Sequence, residues 1–347
     1  MASTTRDGLG RARDVLRRFT TPLLPDDYTQ LINPLWSTRE LRGKIEVVET
    51  AADDTIHLVI SPGWGVPVDF EAGQYIGIGV QIDGRYTWRS YSLTNTPDTT
   101  AGHFSITVRA VERGRLSNHL VGTAKAGDTV RLAAPAGDFH LTNPIPEKLL
   151  FITAGSGITP VISMLRTMKD RNLQSDVRVV HSVRRREDLV FGDVLEGVDA
   201  TVNYTSESGR VGPKEIKKMV PDFAERVVYA CGPALMLDQV EEWAEAHDME
   251  IRTERFTIDR ASEAKGGTVT FGERGSIEVD GATTILEAGE SIGIQMPFGC
   301  RMGICQTCVR QLDEGHVHDL RSGQTHEPGS RIRTCVCVAA GDVTIDV

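Results

Sequence analysis

The sequence predicts a multidomain protein in which an antiparallel β-barrel is followed by an α/β unit on a parallel sheet and then by a small α+β unit. Three textures predict it. Residues 42–141 carry short alternating runs, "KIEVVE", "TIHLVI", "YIGIGVQI", "FSITVRAV" and "DTVRLAA", separated by Gly, Pro and Asp. Such period-2 runs between turn residues build antiparallel barrels. From residue 149 apolar strands alternate with helical patterns: "LLFIT", "PVISMLRTMKD", "VRVVHSV", "ATVNYT", "RVVYA" and "LMLDQVEEWAEAH". That alternation gives a parallel sheet covered by helices. The polar stretch "DRASEAKGG" then reads as a linker, and beyond it strand-like runs flank a cysteine-rich segment and end in "DVTIDV". The expected division is an N-terminal extension 1–40, a barrel 41–145, an α/β domain 146–258, a linker 259–267 and a C-terminal domain 268–347.

Charge and hydropathy exclude several classes. The 347-residue chain carries a net charge of −10, unsuited to a general nucleic-acid binder, whose phosphate contacts need clustered Lys and Arg. "MASTTRDGLG" lacks the apolar core of a secretory signal, so a cytoplasmic location is expected. The longest uncharged run, 149–165, is interrupted by "TAGSGITP" and reads as strand, glycine loop and helix rather than as a membrane span. Before position 20, "RDGLGRARDVLRRF" holds five Arg and two Asp, with Leu9, Val15, Leu16 and Phe19 on one side of a helix. Two readings stand: a solvated leader, or a basic amphipathic segment that leans on a membrane surface or a membrane-bound partner.

Five of the six cysteines lie between Cys300 and Cys337. In a reducing compartment such clustering favours metal chemistry over disulfides. Cys300, Cys305 and Cys308 have the spacing C-x4-C-x2-C, that of plant-type [2Fe-2S] ligands whose fourth member lies far downstream. Zinc sites usually pair two C-x2-C knuckles, and here there is one. Gly299 and Gly303 permit the tight backbone that points N–H groups at sulfur. Both Cys335 and Cys337 are available as the fourth ligand. The tail "RTCVCVAAGDVTIDV" resembles the end of plant-type ferredoxins, and counting back from Asp342 that resemblance implies Cys335.

A one-electron cluster cannot take a hydride, so a two-electron to one-electron converter is expected upstream. "RSYSLTN", from residue 89, resembles the R-x-Y-[ST] flavin strand of the ferredoxin-NADP reductase superfamily. The resemblance implies Arg89 on the FAD diphosphate, Tyr91 against the isoalloxazine and Ser92 near flavin N5, with Ser90 between them. "GRLSNHL" starts a helix after a strand, so Leu116, Ser117 and Asn118 can offer N–H groups and a hydroxyl to the same diphosphate.

"LLFITAGSGITPVISML" places Gly155, Ser156, Gly157 and Thr159 between a buried strand and a helix opening with Pro160, a setting in which backbone approaches a pyrophosphate. It resembles the superfamily's G-x-G-[IV]-[TA]-P. "YACGPALML" puts Cys231, Gly232 and Pro233 at the carboxyl end of a parallel strand, where ligands of such sheets bind, and resembles the C-G-P element beside the nicotinamide. "TERF" resembles the segment that returns to the flavin, which makes Glu254 and Phe256 candidates for the hydride-transfer face together with Tyr91, Ser92 and Cys231. The strand "VRVVHSVRRRED" lacks the terminal acid that would bind a 2′-hydroxyl. Ser182, Arg184 and Arg185 stand there instead and predict NADPH over NADH.

Residues 41–347 thus resemble a ferredoxin-NADP reductase module with a plant-type β-grasp ferredoxin domain at its C-terminus. The leader "LLPDDYTQLINPLW" is similar to that of actinobacterial reductases that feed membrane-bound fatty-acid desaturases. The resemblance implies FAD, a [2Fe-2S] cluster and NADPH as cofactors, and an electron-accepting protein as partner. A desaturase is the expected acceptor, a Rieske or di-iron oxygenase fed from NADH the alternative, and a flavin/iron-sulfur redox sensor the alternative of another class. Residues 267–347 hold 11 acidic and 6 basic residues, which suits an acceptor with a basic docking face.

Overall fold

The computed structural model describes residues 25–37, 40–82, 85–97, 102–111, 114–256, 264–298, 303 and 306–347. The basic segment 6–19, most of the linker, and Cys300 and Cys305 lie outside the described residues. The described residues divide into two compact units: 25–87 with 91–256, and 88–90 with those from 264 onward. Barrel and α/β domain therefore form one body.

The barrel sheet runs in the order β4-β3-β6-β1-β2-β5. Its strands are β1 (Arg42–Ala52), β2 (Thr55–Pro62), β3 (Tyr75–Ile82), β4 (Arg85–Ser92), β5 (Phe104–Arg109) and β6 (Thr129–Leu132). A bridge between Leu93 and Ile106 links the two outer strands, which closes the edge. Leu58, Ile60, Ile76, Ile78, Leu93, Phe104 and Ile106 are fully buried inside, each worth about 1.5–3 kcal/mol relative to exposure. The helix Arg115–Thr123 follows β5.

The α/β domain is a five-stranded parallel sheet, β11-β10-β7-β8-β9. Its strands are β7 (Lys148–Ala154), β8 (Asp176–Val183), β9 (Asp199–Tyr204), β10 (Val227–Cys231) and β11 (Ile251–Glu254), with long helices at Ile158–Asp170 and Ala234–Ala246. β7 and β10 read as unbroken apolar runs because both faces are covered. Arg226, its side chain 1% exposed, is satisfied by Asp176 and Asp222 at 2.7 Å each and by the Leu149 and Asp176 carbonyls. The helix Ile158–Asp170 clamps the loop after β4. Ser163 Oγ donates to the Asn95 carbonyl (2.7 Å), Arg166 to that of Thr94 (2.8 Å) and Arg171 to that of Pro97 (2.9 Å). Thr96 donates to Asp170 at 2.6 Å.

The second unit contains the sheet β13-β12-β19-β14-β17 and the smaller β16-β15-β18. These are β12 (Gly267–Thr270), β13 (Ser276–Val279), β14 (Val309–Glu314), β15 (Val317–Asp319), β16 (Thr325–His326), β17 (Arg331–Arg333), β18 (Cys337–Ala339) and β19 (Val343–Ile345). β12 pairs parallel with β19, and the helix Ile285–Ser291 covers the core of Val269, Phe271, Leu312, Val343 and Ile345. Thr284 caps that helix in a capping box with Glu287, worth about 1 kcal/mol. The Leu286 N–H then reaches the Thr334 carbonyl at 2.9 Å and fixes the segment ahead of Cys335.

Candidate functional site

The parallel sheet places a row of chemistry along its carboxyl edge. In register, Glu254 of β11 neighbours Cys231 of β10, Cys231 neighbours Thr153 of β7, and Thr153 neighbours His181 of β8. Burial pushes the Cys231 thiol well above its usual range, and the Glu254 charge adds to this. Burial also holds His181 neutral, its pKa lowered to about 4. One ring nitrogen, Nδ1, lies 2.8 Å from Thr153 Oγ1; the other, Nε2, is buried without a hydrogen-bond partner among the described residues.

Residues 155–160 pack onto this edge. A Cβ on Gly157 would meet the Cys231 carbonyl at 2.1 Å, so that position requires glycine, whereas one on Gly232 would meet the flexible end of Met236 at 2.6 Å. Gly155 has φ +55°, the left-handed region. Residues Gly155–Gly157 form a 3-10 turn and the α-helix starts at Ile158, two residues before the expected opening at Pro160. Pro160 is tolerated in the first turn because its missing N–H would have no intrahelical acceptor. The Thr159 hydroxyl donates to the Ser156 carbonyl at 2.9 Å. Pro233 directly precedes the helix Ala234–Ala246, and Phe256 packs against the sheet core.

Gly155, Ser156, Thr159 and His181 line a cavity of about 30 Å³ together with Thr55, Thr107 and Arg109 from the barrel. Arg109, which the sequence reading did not single out, pairs with Asp54 at 2.8 Å and Asp188 at 3.4 Å. Its signal was faint: a polar end to the run "FSITVR". The arginines after β8 differ among themselves. Arg185 pairs with Glu187 (3.3 Å) and Asp188 (3.4 Å). Arg186 pairs with Glu207 at 3.1 Å and lies over the Tyr204 ring at 4.4 Å. Arg184 is exposed and Ser182 half-buried.

On β4, Ser92 is buried and Tyr91 half-buried against the barrel core. Ser90 Oγ is shielded from solvent with no hydrogen-bond partner among the described residues. Arg89 is exposed, its Nη1 turned to the Trp88 carbonyl at 2.7 Å. One expectation needs correction. The Ser117 hydroxyl is not offered outward: it accepts from the Val111 N–H and donates to the Gly114 carbonyl, both at 3.3 Å. Asn118 likewise turns its amide to the Val111 and Gly114 carbonyls. Both side chains brace the turn into the helix, which leaves the first-turn N–H groups of Leu116 and Ser117 outside the intrahelical ladder.

In the second unit Cys308 Sγ and Cys335 Sγ are 3.2 Å apart, and the Gly303 N–H points at Cys335 Sγ from 3.3 Å. Gly303 has φ +71°. Cys337, on β18, is fully buried in register with Asp319 of β15; burial pushes its thiol up and the Asp319 charge adds to this.

The donor sets fit the three expected groups. A glycine turn with a buried, unpartnered imidazole nitrogen suits a pyridine nucleotide. A shielded hydroxyl on β4 suits a flavin, and paired thiols with an amide donor suit an iron-sulfur cluster. Fold and site together define a flavin- and iron-sulfur-dependent pyridine-nucleotide reductase.

Family comparisons agree. The model described as oxidoreductase FAD-binding domain matches residues 44–141, the oxidoreductase NAD-binding domain residues 151–242, and the 2Fe-2S iron-sulfur cluster binding domain residues 269–340. The chain is 49% identical to the NADPH oxidoreductase of Mycobacterium tuberculosis, over 96% of this chain and 92% of that one. It is 29% identical to the glycine betaine monooxygenase reductase subunit of Pseudomonas aeruginosa, over 80% and 87%. Phthalate dioxygenase reductase, a solved structure, superposes with a TM-score of 0.61 at 24% identity, over 88% of this chain and 97% of that one. The chain belongs to the ferredoxin-NADP reductase superfamily, as an FAD flavoprotein with a C-terminal plant-type [2Fe-2S] domain. It is an NAD(P)H:acceptor oxidoreductase.

Proposed function

We propose that the chain takes reducing equivalents from NADPH and delivers them singly to a partner protein, a membrane fatty-acid desaturase being the acceptor we favour. The observation that supports this best is the sulfur pair of Cys308 and Cys335, since a second redox site behind a flavin serves one-electron output. FAD would be held by Arg89, Ser90, Tyr91 and Ser92 and by the first-turn N–H groups of Leu116 and Ser117, at the turn that Asn118 braces. The nucleotide would lie on Gly155, Ser156, Gly157, Thr159 and Pro160, with Arg109 toward its phosphates. Cys231, Gly232, Pro233, Glu254 and Phe256 border the nicotinamide side. Cys300, Cys305, Cys308 and Cys335 would ligate the cluster, with Cys337 a buried strand residue. When bound, the flavin supplies the exchange between paired and single electrons and the cluster carries single ones.

Ser182, Arg184 and Arg185 would read the 2′-phosphate, and the name of the mycobacterial relative supports NADPH. Arg185 must first leave Glu187 and Asp188, and its pair with Glu187 is open to solvent and weak. Reversing the charge of Arg184 and Arg185 should abolish the preference for NADPH; an unchanged NADPH/NADH ratio refutes their role. Anaerobic NADPH should bleach flavin and cluster absorbance in turn, after which cytochrome c is reduced. No bleaching sinks the reductase, and rapid reduction of both centres excludes a sensor.

The Pseudomonas relative favours a second reading, the reductase of a Rieske or di-iron oxygenase; turnover with each class of acceptor separates the two. Among the described residues no helix is long and apolar enough to cross a membrane. Contact with a membrane would come through the partner or the basic residues before position 20.

A further inference from the structure

Around the sulfur pair, a line of contacts leads from a buried carboxylate to a cysteine. Asp319 has a fully buried side chain that accepts from the Arg321 N–H (2.9 Å), the Ser322 N–H (3.1 Å) and Arg333 Nη2 (2.6 Å). The other arm of Arg333, Nη1, donates to the Gly303 carbonyl at 2.9 Å. The N–H of the same Gly303 points at Cys335 Sγ. A Cβ on Gly303 would meet Val336 at 2.9 Å, so the glycine is held on one side by packing and on the other by the guanidinium.

We propose that the ion pair between the buried Asp319 and the half-buried Arg333 positions Gly303 against Cys335 and sets the reduction equilibrium of the iron-sulfur cluster held there. This rests on the iron-sulfur reading of Cys300, Cys305, Cys308 and Cys335. A packing role alone would be served as well by apolar residues of the same volume, because desolvating the Asp319 carboxylate offsets much of what the ion pair gains. The pair is also not a second metal site. Asp319, His326 and Cys337 bring donor atoms within 4.8 Å of one another, yet the cation is already present as Arg333, and His326 Nε2 stands 3.7 Å from the carboxylate. The arrangement is a charge clamp beside the sulfurs.

The sign follows from electrostatics. Reduction adds negative charge to the sulfur-ligated group, so N–H donors and a nearby guanidinium favour the reduced form. Asp319 offsets part of that cation. Asp319→Asn keeps the shape and uncovers the Arg333 charge, so the reduction equilibrium constant should rise about tenfold, 59 mV for one electron. The double variant Asp319→Asn with Arg333→Met removes the cation too and should fall below wild type. Opposite shifts in an EPR-monitored redox titration support the proposal. Midpoints unchanged at full cluster content, or moving in the same direction, overturn it.

If either variant fails to load a cluster, Arg333→Lys tests the clamp without relying on the potential. It keeps the charge and loses the two-armed fork, so in hydrogen exchange the peptide spanning Gly303 should exchange about tenfold faster. Unchanged exchange overturns the clamp. A wild-type protein with no [2Fe-2S] signal after reconstitution sinks the iron-sulfur reading instead, whatever the exchange shows.

Discussion

Cys231 and Cys335 are both buried thiols in strand-rich surroundings, and their neighbourhoods are opposite. Cys231 lies between Thr153 and Glu254 in the parallel sheet, where burial and a neighbouring carboxylate keep sulfur protonated. Cys335 meets the Gly303 N–H, a second sulfur and the field of Arg333. Burial alone makes a thiol inert; donors and a cation let an equally buried sulfur carry negative charge.

The sharpest way to break this contrast is Cys335→Ser. It should remove cluster absorbance and cytochrome c reduction while leaving flavin bleaching by NADPH, whereas Cys231→Ser should leave cluster content intact. Retention of a full cluster in Cys335→Ser would move the fourth ligand to Cys337.

Next in size is the acid leg of the sheet edge. His181 is neutral when folded but protonates at about 6.5 when unfolded. Its burial thus supports the fold fully above pH 6.5, and that support is lost as pH falls toward 4. The loss should reach about 3 kcal/mol, and denaturant titrations of His181→Asn should show a flatter profile over that window.

Gly157→Ala drives a methyl into the Cys231 carbonyl. It should cost about 1–3 kcal/mol of stability and raise the KM for NADPH, with cluster content unchanged. The smallest effect is expected for Cys337→Ala: about 1 kcal/mol of stability, read by thermal melting, with the iron-sulfur spectrum preserved.

What the sequence showed and hid follows the range of the interactions. The glycine turn at 155–157 and the cysteine spacing are local, and each motif carries its own geometry. Arg109, Asp188 and Asp54 come from separate elements, so their meeting leaves no spacing to read. Ser117 looked like a phosphate donor because a helix start presents its orphan N–H groups, and a hydroxyl among them, to an anion; the hydroxyl's competing partners, Val111 and Gly114, are set by the loop rather than by composition. His181 is one polar residue inside the run "VRVVHSV", and only the pairing with Thr153 across the sheet reveals which ring nitrogen is spoken for.

The joint between the helix Ile158–Asp170 and the loop after β4 has an evolutionary corollary. Three of its four contacts end on main-chain oxygens of Thr94, Asn95 and Pro97, which any residue supplies. Mutational tolerance across this seam should be lopsided: the loop is free to drift in sequence, while Ser163 and Arg166 on the helix and Arg171 just after it are not.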